Sequence, residues 1–117
     1  MSSRIPASVI LQVLERANKR CESCGKPDNG WTQFSFSHRR GKRFNTAADI
    51  EYLCGTGGLR DKTKCHDYWE LHRTEAYETG HLVRRGDKTE AKDVPVLRWD
   101  GWHLLNPDGS LTAVRKG

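Results

Sequence analysis

Apolar residues recur at three- and four-residue intervals over residues 8–19, where Val9, Ile10, Val13, Leu14 and Ala17 form one stripe and Glu15, Arg16 and Lys19 fall outside it. That spacing predicts an amphipathic helix. Pro27, Asp28, Asn29 and Gly30 are turn chemistry, and beyond them the period changes to two, with Phe34, Phe36 and His38 alternating with Ser35 and Ser37. The alternation predicts a half-buried strand with His38 facing inward at its polar end. Ile50, Tyr52 and Leu53 predict a second short strand over residues 49–54. The glycine-rich residues 55–58 and the charged stretch to Lys64 then predict a loop, one that lacks the Gly-Lys-Ser/Thr of a phosphate loop. Residues 65–79 predict a second helix, closed by Gly80 as its C-cap. Residues 96–99, Asp100-Gly101 and residues 102–105 predict a β-hairpin with Asp-Gly as a type I′ turn, and the turn-forming residues 106–109 extend the hairpin region to about residues 94–112. Trp99 and Trp102 are read as packing residues of that hairpin.

A chain of 117 residues with this pattern is one α+β domain, and with 35% hydrophobic and 30% charged residues and a mean hydropathy of -0.81 its core is small. It needs a staple. The N-terminus lacks the apolar run of a signal peptide and no stretch reaches membrane length, so disulfides are the poorer expectation and a cytoplasmic metal protein the better one. The net charge of +5 and pI near 9.2 suit a polyanionic partner such as DNA and exclude neither a solvated basic surface nor a protein partner.

Cysteine supplies the staple. Cys21 and Cys24 form a Cys-x-x-Cys turn, and Cys54 and Cys65 complete four thiolates, the closed tetrahedral set that zinc takes in structural sites. No strand-helix context of a redox Cys-x-x-Cys surrounds the first pair. Between the pairs lies His38, followed by the basic loop Arg39, Arg40, Gly41, Lys42 and Arg43, which is either a solvated turn or a phosphate-binding loop. His66 follows Cys65, and Glu70 at i+4 shares its helix face, whereas His72 lies about 240° around an ideal helix and reads as a surface residue. His38 can therefore serve as a general base and His66 with Glu70 can hold a divalent ion such as Mg²⁺, Mn²⁺ or Ni²⁺. His81 and His103 read as structural.

The order Cys21-x-x-Cys24, His38-Arg39-Arg40, Asp49 to Cys54-Gly55, and Cys65-His66 resembles the HNH endonucleases, in particular the small zinc-bearing proteins that bacteriophages encode beside terminase genes. The resemblance covers residues of about 10–85 and extends to the tail at residues 93–101. It implies a ββα-metal (His-Me finger) fold, with His38 as the general base, Asp49 at the position of the central Asn that orients it, Cys21, Cys24, Cys54 and Cys65 on a structural zinc, and His66 on the catalytic ion. It also implies DNA as substrate, terminase as a partner and the host cytoplasm as the setting. Three positions depart from the pattern: Ser37 replaces a ligand before the base, Asp49 replaces Asn, and Glu70 replaces a second helix His. Those departures leave open a catalytically weak zinc module that binds DNA or a protein such as terminase.

Overall fold

The computed structural model describes residues 5–41, 43–58, 63–84 and 89–115. Three α-helices, α1 (Ala7–Ala17), α2 (Cys65–Leu71) and α3 (Arg73–Thr79), combine with two small antiparallel sheets into an α+β domain. No helix among these residues is long and apolar enough to cross a membrane.

α1 starts where the Pro6 carbonyl accepts the N–H groups of Val9 and Ile10, both at 3.0 Å, and ends as Asn18 turns left-handed (φ 52°). Its stripe is rotated from the predicted one. Val13 and Ala17 are buried as expected, but Arg16 is buried with them while Leu14 and Leu11 face solvent. Arg16 is drawn inward by partners it could not show in a sequence: Nε and Nη2 donate to the two carboxylate oxygens of Glu22 at 2.7 and 2.8 Å, and Nη1 and Nη2 reach the carbonyls of Ala47 and Ile50, both at 2.6 Å.

The first sheet pairs β1 (Phe34–His38) with β2 (Ile50–Cys54), in a register running from Phe34 opposite Cys54 to His38 opposite Ile50. Both α1 and α2 pack on β2. On the α1 side Val13, Ala47 and Ile50 form one apolar cluster with Phe36 and Tyr52, and near α2 Leu53 packs with Cys21, Cys54 and Trp69. The predicted helix over residues 65–79 is broken at His72 (φ −108°, ψ 65°). Its ring stacks on Tyr68 at 4.0 Å, and Nδ1 lies 3.0 Å from the Tyr68 carbonyl, which already accepts the His72 backbone N–H at 2.8 Å. That carbonyl is thus shared, and the regular ladder ends there. Gly80 caps α3 in the left-handed conformation (φ 82°), as the sequence predicts.

The C-terminal hairpin becomes a three-stranded sheet, β3 (Val96–Arg98), β4 (Gly101–Leu105) and β5 (Leu111–Ala113). Its first turn is shifted one residue from the predicted Asp100-Gly101: Arg98 pairs with Gly101, so Trp99 and Asp100 form the tip and Gly101 takes φ 108° just after it. The Arg98 guanidinium bonds the Asp100 carboxylate across this tip at 3.0 Å, and Trp99 lies beneath Arg20, 5.3 Å from its guanidinium. A third apolar cluster, Ala48, Val83, Ala91, Val96 and Leu105, joins this sheet to the rest. Three small clusters, rather than one core, match a chain so poor in apolar residues.

Candidate functional site

The four cysteines converge. Cys21 and Cys24 sit in a turn closed by the Cys21 N–H on the Lys26 carbonyl and the Gly25 N–H on the Cys21 carbonyl, each 2.8 Å. Cys54 ends β2 and Cys65 opens α2. All four sulfurs lie within 4.8 Å of one another as free thiols, and the Cys24 and Cys54 sulfurs are 3.9 Å apart. A tetrahedron with metal–sulfur bonds of about 2.3 Å has edges of about 3.8 Å, so this set could hold a metal ion. Backbone N–H groups already point at the sulfurs, Cys24 at Cys21 Sγ and Cys65 at Cys54 Sγ. Hydrogen bonds from Cys21 and Cys65 hold the Cys54 thiol down at about 3, and the same sharing pushes Cys65 far up. Four thiolates at this spacing need a cation to ionise together.

Next to this cluster, a cleft of about 860 Å³ is lined by His38, Arg40, Arg43, His66, Glu70 and Arg73, with Thr56 and Gly57 forming one wall. His66 is oriented by β1. The Ser35 hydroxyl donates to the Gly55 carbonyl at 2.5 Å, so toward His66 Nδ1, also at 2.5 Å, it can only accept. The His66 proton is therefore on Nδ1, and Nε2 keeps its lone pair, 3.3 Å from Glu70 Oε1. A histidine fixed through one nitrogen by a neighbouring oxygen is the arrangement that presents the other nitrogen to a metal. Burial holds His66 below its ordinary value, against the pull of Glu70 and Asp67, and this favours the neutral ring. Gly57 completes the seat. It has φ 79°, and a Cβ there would meet the His66 ring at 2.6 Å.

His38 lies across the cleft at the end of β1, where its Nε2 meets Asn45 Oδ1 at 3.1 Å. With an amide oxygen facing Nε2, that nitrogen carries the proton and Nδ1 is the basic one. The partner expected from the sequence, Asp49, does not contact His38. Its carboxylate accepts from Thr46 N–H and Oγ1 at 3.1 and 2.6 Å and from Arg40 Nε at 2.7 Å, so it orders the loop that carries Asn45.

The basic loop divides. Arg39 cannot bind phosphate, because it is fully buried and donates to the carbonyls of Gly80, Ala48, Ala91 and Val94 at 2.7–3.1 Å. Burial lowers it to about 10, so it stays charged at neutral pH. Arg40 reaches the cleft while paired with Asp49 and stacked 4.0 Å over Phe44; Arg43 is exposed; Lys42 lies outside the described residues. Arg73, at the start of α3, adds a basic side chain to the cleft that the sequence reading did not include.

Ser37 is buried and its hydroxyl adds no strong ligand. His72 is exposed on Tyr68, away from this pair. His81 is structural, as expected, but it is not without partners: Nδ1 lies 3.0 Å from both Glu51 oxygens, Nε2 lies 3.1 Å from the Leu97 carbonyl, and the ring stacks on Trp69 at 4.4 Å. Acceptors thus stand at both of its nitrogens, and they hold the ring in place between β2 and the Leu97 carbonyl.

Sequence reasoning missed Gly57 and Arg73, which line the cleft, and Ser35 and Asn45, which hold its two histidines. Ser35, Asn45 and Arg73 had no local signal, because each reaches its neighbour only through the fold. No protein-family model, curated protein or solved structure matches this chain.

Proposed function

We propose that this protein is a metal-dependent DNA endonuclease of the HNH type, with a structural zinc on Cys21, Cys24, Cys54 and Cys65. The observation that carries the reading is the cleft in which His38, with Nδ1 free, faces a His66 whose Nε2 is free beside Glu70, under a rim of Arg40, Arg43 and Arg73. In this reading His38 Nδ1 takes the proton of the attacking water, and Asn45 holds the ring in the required tautomer. His66 and Glu70 are the residues that would hold Mg²⁺, Mn²⁺ or Ni²⁺; when bound, such an ion supplies positive charge to the scissile phosphate and the leaving oxygen. The rim arginines hold backbone phosphates, contacts that carry little sequence information, so weak sequence preference is expected. By the resemblance of the sequence we further infer a phage-encoded enzyme that works in the host cytoplasm with a terminase.

The experiment is nicking of supercoiled plasmid by zinc-loaded protein with each divalent metal added. His38→Ala is expected to lose about 10²- to 10⁴-fold in rate with zinc content and DNA affinity retained. Ser37 favours a second reading, a DNA- or protein-binding module without hydrolysis, because a buried serine beside His38 leaves only His66 and Glu70 for the ion. Wild-type protein that binds DNA but cleaves with no metal supports that module and refutes the enzyme.

A further inference from the structure

Trp31 is 91% exposed, more than any other large hydrophobic side chain among the described residues. Tryptophan is highly buried on average, and neither an aromatic ring nor a guanidinium covers this one among the described residues. The ring is nevertheless on an ordered turn: the Asn29 side-chain oxygen accepts the Trp31 N–H at 2.9 Å, and Asp28 accepts the Gly30 N–H at 3.3 Å. Beside it runs a groove of about 340 Å³ lined by Trp31, Gln33, Gly55, Thr56 and Lys64.

This groove continues the cleft. Thr56 lines both, and the wall between them is pinned by the Gly55 N–H on the Gln33 carbonyl at 2.7 Å. Lys64 lines the groove, with Lys26 beside it. A cation at the groove's edge favours an anionic occupant. A flat apolar face with cations at its edge is the combination that binds single-stranded nucleic acid, in which bases stack and phosphates follow the charge. Duplex DNA offers no such base face, because its bases are stacked on one another.

We propose that Trp31 is the stacking platform for an unpaired base of the DNA strand whose backbone lies in the cleft, with Lys64 and Lys26 at the adjoining phosphates. This rests on the DNA reading above and adds that the protein prefers strands locally opened beside the site.

The test compares full-length zinc-loaded protein with Trp31→Ala and Trp31→Phe, without added divalent metal. The probes are a short fluorescein-labelled oligothymidylate and a blunt duplex of equal length, each titrated over a range of salt. Trp31→Ala is expected to weaken oligothymidylate binding about 5- to 150-fold, the range of one base–aromatic stack, with duplex affinity changed less than about twofold and the salt slope retained. Trp31→Phe should restore most of the loss. Unchanged oligothymidylate affinity in Trp31→Ala, no binding by the wild type, or an equal loss on both probes overturns the proposal; a platform that serves a protein partner gives the first of these. Plasmid nicking separates this idea from the enzyme reading: no cleavage with Trp31-dependent binding sinks the hydrolysis alone, and cleavage with Trp31-independent binding sinks the platform alone.

Discussion

Arg39→Ala should destabilise the fold rather than weaken its grip on DNA. In the folded chain the Arg39 guanidinium donates to four carbonyls, of Ala48, Gly80, Ala91 and Val94, and no part of the residue touches solvent. Removing it orphans acceptors on three separate segments, at Ala48, at Gly80 and at Ala91 and Val94. A buried polar group left unpaired costs about 1–3 kcal/mol, and water entering the space, together with the second lone pair of each carbonyl, reduces the sum to about 3–5 kcal/mol, the range seen when one partner of a buried charged network is deleted. Against a total stability of about 5–15 kcal/mol for a domain, that lowers Tm by roughly 10–20 °C. Arg39→Lys should recover only part of this, since one ammonium cannot span carbonyls that a planar fork reaches. Arg40→Ala, by contrast, leaves the buried Asp49 carboxylate its two Thr46 donors and should cost less, about 1–3 kcal/mol. The assay is thermal unfolding of zinc-loaded protein by far-UV circular dichroism, with DNA affinity measured on the same samples. An Arg39→Ala protein with wild-type Tm and lost DNA binding would refute the structural role and return Arg39 to the phosphate surface.

Elemental analysis should find one zinc per folded chain, and Cys24→Ser should lose it together with the fold; a folded, zinc-free protein would refute the tetrathiolate site. Ser35→Ala should raise the divalent-metal concentration for half-maximal nicking about 10- to 100-fold with zinc unchanged, because the His66 ring loses the oxygen that fixes its tautomer; an unaltered metal titration would remove Ser35 from the site. For Glu51, burial alone would raise the carboxyl, but His81, Arg39 and Arg16 outweigh it and hold it below the ordinary 4.5. Its contribution to stability is therefore complete above about pH 4.5 and lost as pH falls through the lower folded value. Glu51→Gln should lower Tm at pH 7, and the gap to wild type should narrow below pH 4.5; a gap independent of pH would show that His81 is not its charged partner.

What the sequence made legible is what short-range periodicity encodes. The alternation around Phe34 and Phe36 located β1, the Cys-x-x-Cys spacing located a turn of the cysteine cluster that could hold a metal, and the i,i+4 spacing of His66 and Glu70 located one face of α2. Charged residues were the failure, and for one reason. Arg16 and Arg39 read as solvated because charge normally stays in water, yet each is buried where backbone carbonyls of distant segments accept its hydrogen bonds. Partners 31 to 55 residues away leave no trace in a local window. The one-residue shift of the β3–β4 turn has a local origin instead, since Arg98 and Asp100 bond across the tip.

Those buried charges explain how so small a domain keeps a cleft in shape. An ion pair in a protein interior often contributes less stability than an apolar substitute would, but it has far stricter geometry. Arg16 ties α1 to the Ala47 and Ile50 carbonyls where β2 begins, Arg39 ties the end of β1 to the segment before β3, and His81 ties Glu51 of β2 to the Leu97 carbonyl of β3. Each link acts on a strand of the His38 and Ser35 sheet or on its immediate extension. The cysteine cluster fixes the remaining side: Cys54 stands one residue before the Gly55 to Gly57 wall, and Cys65 one residue before His66. Holding those two sulfurs on one ion would therefore set the gap between the wall and the histidine that leans on it. A metal held by the four cysteines and the seat of the candidate catalytic ion would in this way be parts of one frame, so stripping that metal should disable the cleft together with the fold.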